Sequence, residues 1–208
     1  KAAALNQQKI LKEQGLLEIY SWFEDILFNE LVPGIINTIV LTQIALIITA
    51  IITLLSFPMI SKKFVSKQSR IFGHTLLVIL RSTPEYILAY LFLQIWGPSM
   101  FPAVIALALH NGAIIGHIMG HQSNELILRA DTTKKKIELY SYEVLPRIYG
   151  SFLAFLFYRW EVIMRESAIL GILGIHTLGF FVDSAIADIR LDKVVILLVF
   201  TASLNILV

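Results

Sequence analysis

Cysteine is absent from the 208 residues. A disulfide scaffold and a thiolate–zinc site are excluded with it. Charge is also scarce, at 15% Asp, Glu, Lys and Arg, with a formal net charge of +2. Soluble domains carry roughly 25% charged residues. The near-neutral balance offers no basic patch for a nucleic acid. The chain also lacks a GxxxxGK[ST] phosphate loop, a GxSxG elbow and an HExxH pair. The chain is therefore not expected to hydrolyse ATP by a phosphate-loop route, and an ordinary soluble enzyme is not expected. What remains is grease: 57% hydrophobic residues and a mean hydropathy of +0.75. An all-α protein whose main solvent is lipid follows. The chain starts at Lys1 and stops inside an apolar run at Val208, so both natural termini are expected to lie beyond it.

No charged residue occurs from Leu31 to Ser61. As a helix that stretch covers about 45 Å, and a hydrocarbon core needs about 30 Å. One crossing is expected over residues 34–58, with Pro33 just outside its start. A second charge-free stretch, Tyr86 to Asn124, is too long for one crossing. Gly97-Pro98 and Pro102 divide it into a helix starting near Phe72 and another from Pro102 to about Gln122. The first of these carries Arg81, Pro84 and Glu85 within or near the membrane. Residues 148–170 read as a fourth span containing Arg159, Glu161, Arg165 and Glu166, and a fifth begins at Leu191. Between these two, GILGIHTLGFFVDSAIADIR suits a re-entrant or partly unwound segment, tolerated only against protein or a water-filled cavity.

Lysine and arginine set the orientation. Lys62, Lys63, Lys67 and Arg70 follow the first span; Arg129, Lys134, Lys135, Lys136 and Arg147 lie between the third and fourth; the Gly97–Phe101 turn has none. Both basic regions are expected on the cytoplasmic side, leaving Arg190 and Lys193 outside. Residues 1–31 read as an N-terminal amphipathic helix on the outer surface or as a connecting helix, with Ile10, Leu17, Tyr20, Phe23, Leu27 and Leu31 at helical spacing. Residues 32–208 form the transmembrane domain.

Ionisable groups inside a membrane are costly and face partners or a water-filled pathway. Glu161 and Arg165 stand at i, i+4, as do Arg81 and Glu85, and either lock helices together or line a polar path. His117 and His121 share a face at i, i+4, with His110 seven residues earlier and Glu125 one turn beyond. A metal site, polar helix contacts or a cavity lining are all open to them, and no metal site is assigned. Gly112, Gly116 and Gly120 interleave with them as a groove for close helix approach. Gly171, Gly174 and Gly179 follow the charged helix and allow a bend or a gating turn, with Ser167 and Thr177 able to satisfy freed backbone groups. Residues 123–146 form the one sizeable polar segment between spans. They read as a short helix or two outside the bilayer, a surface for a cytoplasmic partner, or as a plain solvated loop.

Three runs in this order carry a resemblance: LRSTPEYILAYLF (residues 80–92), ALALHNGAIIGHI (106–118) and VLPRIYGSFLAFLFYRWEVIMRESAILGILG (144–174). They resemble the membrane permeases of ABC importers, most closely the phosphonate/phosphite type, from about Asn37 to the end. The resemblance implies the type I importer core of five transmembrane helices with cytoplasmic coupling helices. It also implies a homodimer of two permease copies, two cytoplasmic ATPase subunits that hold the ATP and Mg, and an extracytoplasmic solute-binding protein. No cofactor is implied in this chain. The cell location implied is the bacterial inner (plasma) membrane, and the solute a small phosphorus oxyanion (phosphonate or phosphite) moved by alternating access. Path or gate roles fall on Arg81, Glu85, His110, Tyr158, Arg159, Glu161 and Arg165, with Gly171, Gly174 and Gly179 in a gating turn. The family's coupling motif is glutamate-alanine, a glycine five residues on, then leucine-proline. Leu145-Pro146 matches it, the glycine position falls near Thr133, and the acidic-alanine pair is not recognisable around Ile127 and Leu128. ATPase coupling is thereby placed on Thr133, Lys134, Leu145 and Pro146. Competing readings are an ABC permease for phosphate or methionine, a secondary carrier or channel, and a membrane-embedded metalloenzyme using the histidines.

Overall fold

The computed structural model describes residues 15–97, 99–129 and 135–207, and among them every regular element is a helix. In chain order these are α1 (Gly15–Ile60), α2 (Lys67–Ser82), α3 (Glu85–Trp96), α4 (Met100–Glu125), α5 (Lys136–Leu173), α6 (Leu178–Ala187) and α7 (Leu191–Leu207). By length and apolarity α1 and α4 each suffice to cross a membrane. The pairs α2–α3 and α5–α6 qualify as bent spans, with angles of 93° and 43°. With α7 continuing the apolar sequence, this is an all-α, multi-pass architecture.

Two of these helices run through positions where proline would ordinarily stop them, by the same device. In α1 a π-helical turn at Leu27–Leu31 immediately precedes Val32-Pro33; in α5 one at Leu139–Val144 precedes Leu145-Pro146. Proline lacks an N–H, and its ring collides with the carbonyl four residues back. The wider turn moves that carbonyl aside, and the residue before each proline bonds five back: Val32 N–H to Leu27 O, and Leu145 N–H to Tyr140 O. Pro33 therefore lies inside one helix that continues from Gly15 to Ile60, where the sequence had placed it outside the start of a separate span. Ile10 and Glu13 of the N-terminal amphipathic pattern lie outside the described residues; Leu17 and Tyr20 are exposed on α1.

Proline does break the chain at Pro84. Thr83 takes the extended conformation demanded of a residue before proline (φ −82°, ψ 119°), and Pro84 then caps α3. The sequence reading of one helix from Phe72 onward is corrected to two, meeting at 93°. The 171–190 stretch is partly unwound at its start, as expected, and then regains a helix, α5 and α6 meeting at 43°. Only a short 3₁₀ turn at Gly171–Leu173 and the residues up to Thr177 leave α-helical geometry before α6 begins.

Helix α4 is the central element, touching α1, α2, α3 and α5. It approaches α1 along its glycines: a Cβ on Gly112, Gly116 or Gly120 would sit 2.7 Å from Ile52, 2.2 Å from Ser56 Oγ or 2.1 Å from Ile60. The facing stripe of α1 buries Thr42, Thr49, Thr53 and Ser56, small hydroxyl residues that suit close packing in lipid. Thr53 reaches the Gly112 carbonyl at 3.4 Å. Three buried clusters stack along the bundle: Leu41, Leu107, Ile163 and Leu170 at its middle, Phe57, Ile115, Met119 and Phe152 towards one end, and Leu31, Ala185, Val194 and Leu197 at the other. At the last of these, Lys193 pairs with Glu30, tying α7 to α1.

Candidate functional site

The break between α2 and α3 positions a polar cluster in the bundle. His110 lies ten residues into α4, about 15 Å from its start, and is mostly buried. Its Nδ1 lies 2.9 Å from the Thr83 carbonyl and 3.3 Å from that of Leu80. These are carbonyls left without helical partners by the break, and so natural acceptors for an imidazole N–H. The other ring nitrogen faces Glu85 Oε2 at 3.8 Å. Glu166 completes the group from α5. Its Oε2 accepts from Asn111 Nδ2 at 3.1 Å, and one ligand atom from each of Glu85, His110 and Glu166 lies within 4.8 Å of the others. Arg159 stands seven residues before Glu166 on the same side of α5, about 10 Å along the helix.

The expected path residues therefore divide into two groups. Glu85 and His110 meet Glu166, with Arg159 two turns back along α5. Tyr158, Glu161 and Arg165 form another stripe of α5 that faces outward from the subunit. Arg165 Nη2 is 3.4 Å from Glu161 Oε1, with both side chains about half exposed at 57% and 48%. Arg81, in the last turn of α2, is exposed. Glu166 and Asn111 were not singled out as path residues, although both stand in the runs quoted above. What marks them is burial: an acid and an amide on apolar helix faces.

The histidines regroup as well. His110 and His117 share a face at i, i+7, but that spacing is about 10 Å of rise. His110 belongs with Glu85 and Glu166, whereas His117 and His121 gather around His74 of α2. His74 was missed because its partners lie more than forty positions away in sequence. Glu125 lines the neighbouring cavity of about 470 Å³ with Arg70, His74 and His121.

The glycine turn is built backbone against backbone. A Cβ on Gly179 would fall 2.0 Å from the Ala168 carbonyl oxygen, and one on Gly171 would fall 2.2 Å from Phe180 N. Gly174 closes the 3₁₀ turn in the left-handed region at φ +82°. The turn is pinned to α1: Asn37 Nδ2 donates to His176 O at 2.8 Å, and Leu178 N–H donates to Thr38 Oγ1 at 3.0 Å. Thr177 Oγ1 donates to the Ser167 carbonyl at 3.3 Å.

At the cytoplasmic end, as lysine and arginine define it, the loop after α1 meets the end of α4 and the start of α5. Lys62 N–H donates to Asn124 Oδ1 at 2.6 Å, and Lys63 Nζ to the Ser123 carbonyl. Burial, with the charges of Arg147 and Lys62, holds the Lys63 ammonium below the usual lysine range. Glu143 is 8% exposed. It accepts from Arg147 Nη1 at 2.8 Å and from Arg129 N–H at 3.4 Å, while Arg147 also donates to Ile127 O at 2.7 Å. Leu145 and Pro146 follow on α5, with Pro146 exposed; Thr133 and Lys134 lie outside the described residues.

No family model matches the chain. Over 137 residues it is 28% identical to the phosphite transport system permease protein PtxC of Stutzerimonas stutzeri, covering 62% of this chain and 49% of that protein. It is 27% identical to the phosphate-import permease protein PhnE of Mycolicibacterium smegmatis, again over 137 residues, covering 61% and 26%. The match thus spans about half of one curated relative and a quarter of the other. A crystal structure of an amino acid ABC transporter with histidines superposes with a TM-score of 0.68 at 19% identity, over 91% of this chain and 92% of that one. In sequence the chain is similar to permease proteins of phosphite and phosphate importers, and in fold to an ABC transporter. The sequence resemblance and the all-α permease fold are both upheld. Two of its helices, or up to four spans if each bent pair counts as one, are long and apolar enough to cross a membrane, which fits a multi-pass membrane protein.

Proposed function

We propose that the chain is the permease half of an ATP-driven importer for a small phosphorus oxyanion, phosphite or a phosphonate. The observation that carries this reading is the kinship with a phosphite permease over 137 residues. The three groups brought together from three helices of the same bundle, Glu85, His110 and Glu166, support it. In this reading two copies of the chain enclose one path, two cytoplasmic ATPase subunits hold ATP and Mg, and an extracytoplasmic binding protein delivers the solute. Most selectivity resides in that binding protein.

Nucleotide binding draws the 123–146 segments together. Glu143, Arg147 and Arg129 make that segment and the start of α5 move as one body, so the push reaches Glu166 along a continuous helix. The Glu85–His110–Glu166 group joins the broken pair α2–α3 to α4 and α5, and rearranges as the bundles rock between inward-open and outward-open states. Arg81 and Arg159 supply positive charge for an anion. Tyr158, Glu161 and Arg165 line the face turned to the second copy, and residues 171–179 act as the gating turn against α1.

Uptake into vesicles tests this. Phosphite or phosphonate should accumulate only with ATP, the ATPase and the binding protein present. Accumulation that persists after the ATPase is inactivated overturns the proposal. A second reading, phosphate as the solute, is favoured by the likeness to a phosphate-import permease. Competition among phosphate, phosphite and phosphonate for uptake separates the two.

A further inference from the structure

Seven to eleven residues along α4 from His110, three imidazoles converge at the cytoplasmic end of the bundle. His74 comes from α2, and His117 and His121 come from successive turns of α4. One nitrogen from each lies within 4.8 Å of the other two. Ring centroids are 4.6 Å apart for His117 and His121, and 4.9 Å for His74 and His117. The His117 Nε2 is fully buried and has no hydrogen-bond partner. A buried polar atom left in this state is costly, and an imidazole packed beside two others has a ready use for a nitrogen lone pair.

We propose that His74, His117 and His121 form a binding site for a divalent transition metal, with zinc as the type ion. Three imidazoles bound to one zinc at about 2.05 Å hold their nitrogens about 3.3 Å apart in tetrahedral geometry. The nitrogens here lie within 4.8 Å of one another, and His74 and His121 are exposed rings, free to turn inward to the spacing a metal requires. The surroundings select the kind of metal. Lys62 and Arg70 line the adjoining cavity, and the Arg81 charge is felt at His117, so a cation is not drawn in by field alone. Direct bonds from nitrogen must hold it, which favours zinc, nickel or copper over calcium and magnesium. The cavity beside the rings, about 470 Å³ and lined by Glu125 and Asn124, leaves a fourth position for water or the Glu125 carboxylate.

Such a site has a mechanical consequence. A metal bonded to both helices fastens α2 to α4 at the cytoplasmic mouth. It does so beside Gly73, where α2 already lies so close to α1 that a Cβ would be 2.8 Å from the Met59 carbonyl oxygen. Occupancy would therefore hold α2 in place while the rest of the bundle rocks, acting as a brake on transport by an intracellular metal.

The test is metal binding by the purified full chain, without any polyhistidine tag, in detergent. Cobalt, titrated as a spectroscopic stand-in, should give the visible absorption of a four-coordinate nitrogen site at one ion per chain, and zinc should displace it. His74→Ala and His121→Ala alter exposed rings and are expected to fold. Each should weaken zinc binding by at least about tenfold, whereas Glu85→Gln with Glu166→Gln, which disables the other candidate group, should leave it intact. Absence of stoichiometric binding overturns the proposal. Binding unchanged in both histidine variants, or abolished by the double glutamate variant, overturns it equally.

Discussion

His110 makes three contacts that no neighbouring residue in α4 can make: two carbonyls freed by the Pro84 break and the Glu85 carboxylate. His110→Ala should leave those carbonyls and Glu85 without a partner at partial burial, a loss of roughly 1–3 kcal/mol. Uptake in vesicles should fall several-fold, because the cluster that links α3, α4 and α5 is broken, while the amount of inserted protein, read by immunoblot, stays the same. A second residue-scale prediction concerns shape alone. Gly179→Ala drives a methyl to 2.0 Å from the Ala168 carbonyl oxygen, and overpacking of that kind costs about 1–3 kcal/mol. Gly150→Ala meets nothing within 4 Å and gains helix propensity. Thermal unfolding in detergent should place the first variant below the parent chain and the second level with it or above. At this scale the sequence was legible where a residue announces itself by charge in an apolar run: Glu85, Arg159 and Glu161 all stood out. It was not legible where contact is long-range. His74 and Glu166 take their meaning from partners on other helices, and nothing in their own neighbours reports that.

The prolines carry the element-scale lesson. Hydropathy located the membrane-crossing segments well, because a charge-free run such as Leu31 to Ser61 has one economical solution in lipid. Where those segments begin, bend and join was harder to read, since proline has more than one outcome. Pro84 turns the chain through 93°, with Thr83 extended before it. Pro33 and Pro146 sit inside unbroken helices because a π turn precedes each. Local sequence gives no simple signal for a π turn, so Pro33 read as a boundary. Pro84→Ala should allow Thr83 to become helical and reduce the bend. Spin labels at Lys67 and Ile95 should then move apart in electron–electron distance measurements, and transport should fall with them. An unchanged distance would show that packing, rather than the proline, sets the angle.

For the whole molecule, the central requirement is that motion at the cytoplasmic end reaches the polar cluster. The connection runs from Glu143 and Arg147 along α5 to Glu166, a helix without a break from Lys136 to Leu173. Glu143→Gln keeps the shape but removes the charge that Arg147 and Arg129 answer. It should lower uptake several-fold and weaken recovery of the ATPase with the permease, measured by pull-down. The general architecture was readable from composition and run length, and the permease kinship from short motifs around residues 80–92, 106–118 and 144–174. The anchoring of the 123–129 stretch to the start of α5 was not, because it depends on one buried glutamate, Glu143, among many polar residues. Native mass spectrometry of the solubilised assembly tests the account most directly. Two copies of this chain with two ATPase subunits is the predicted mass; a solitary chain that still conducts solute at full rate without ATP would contradict it.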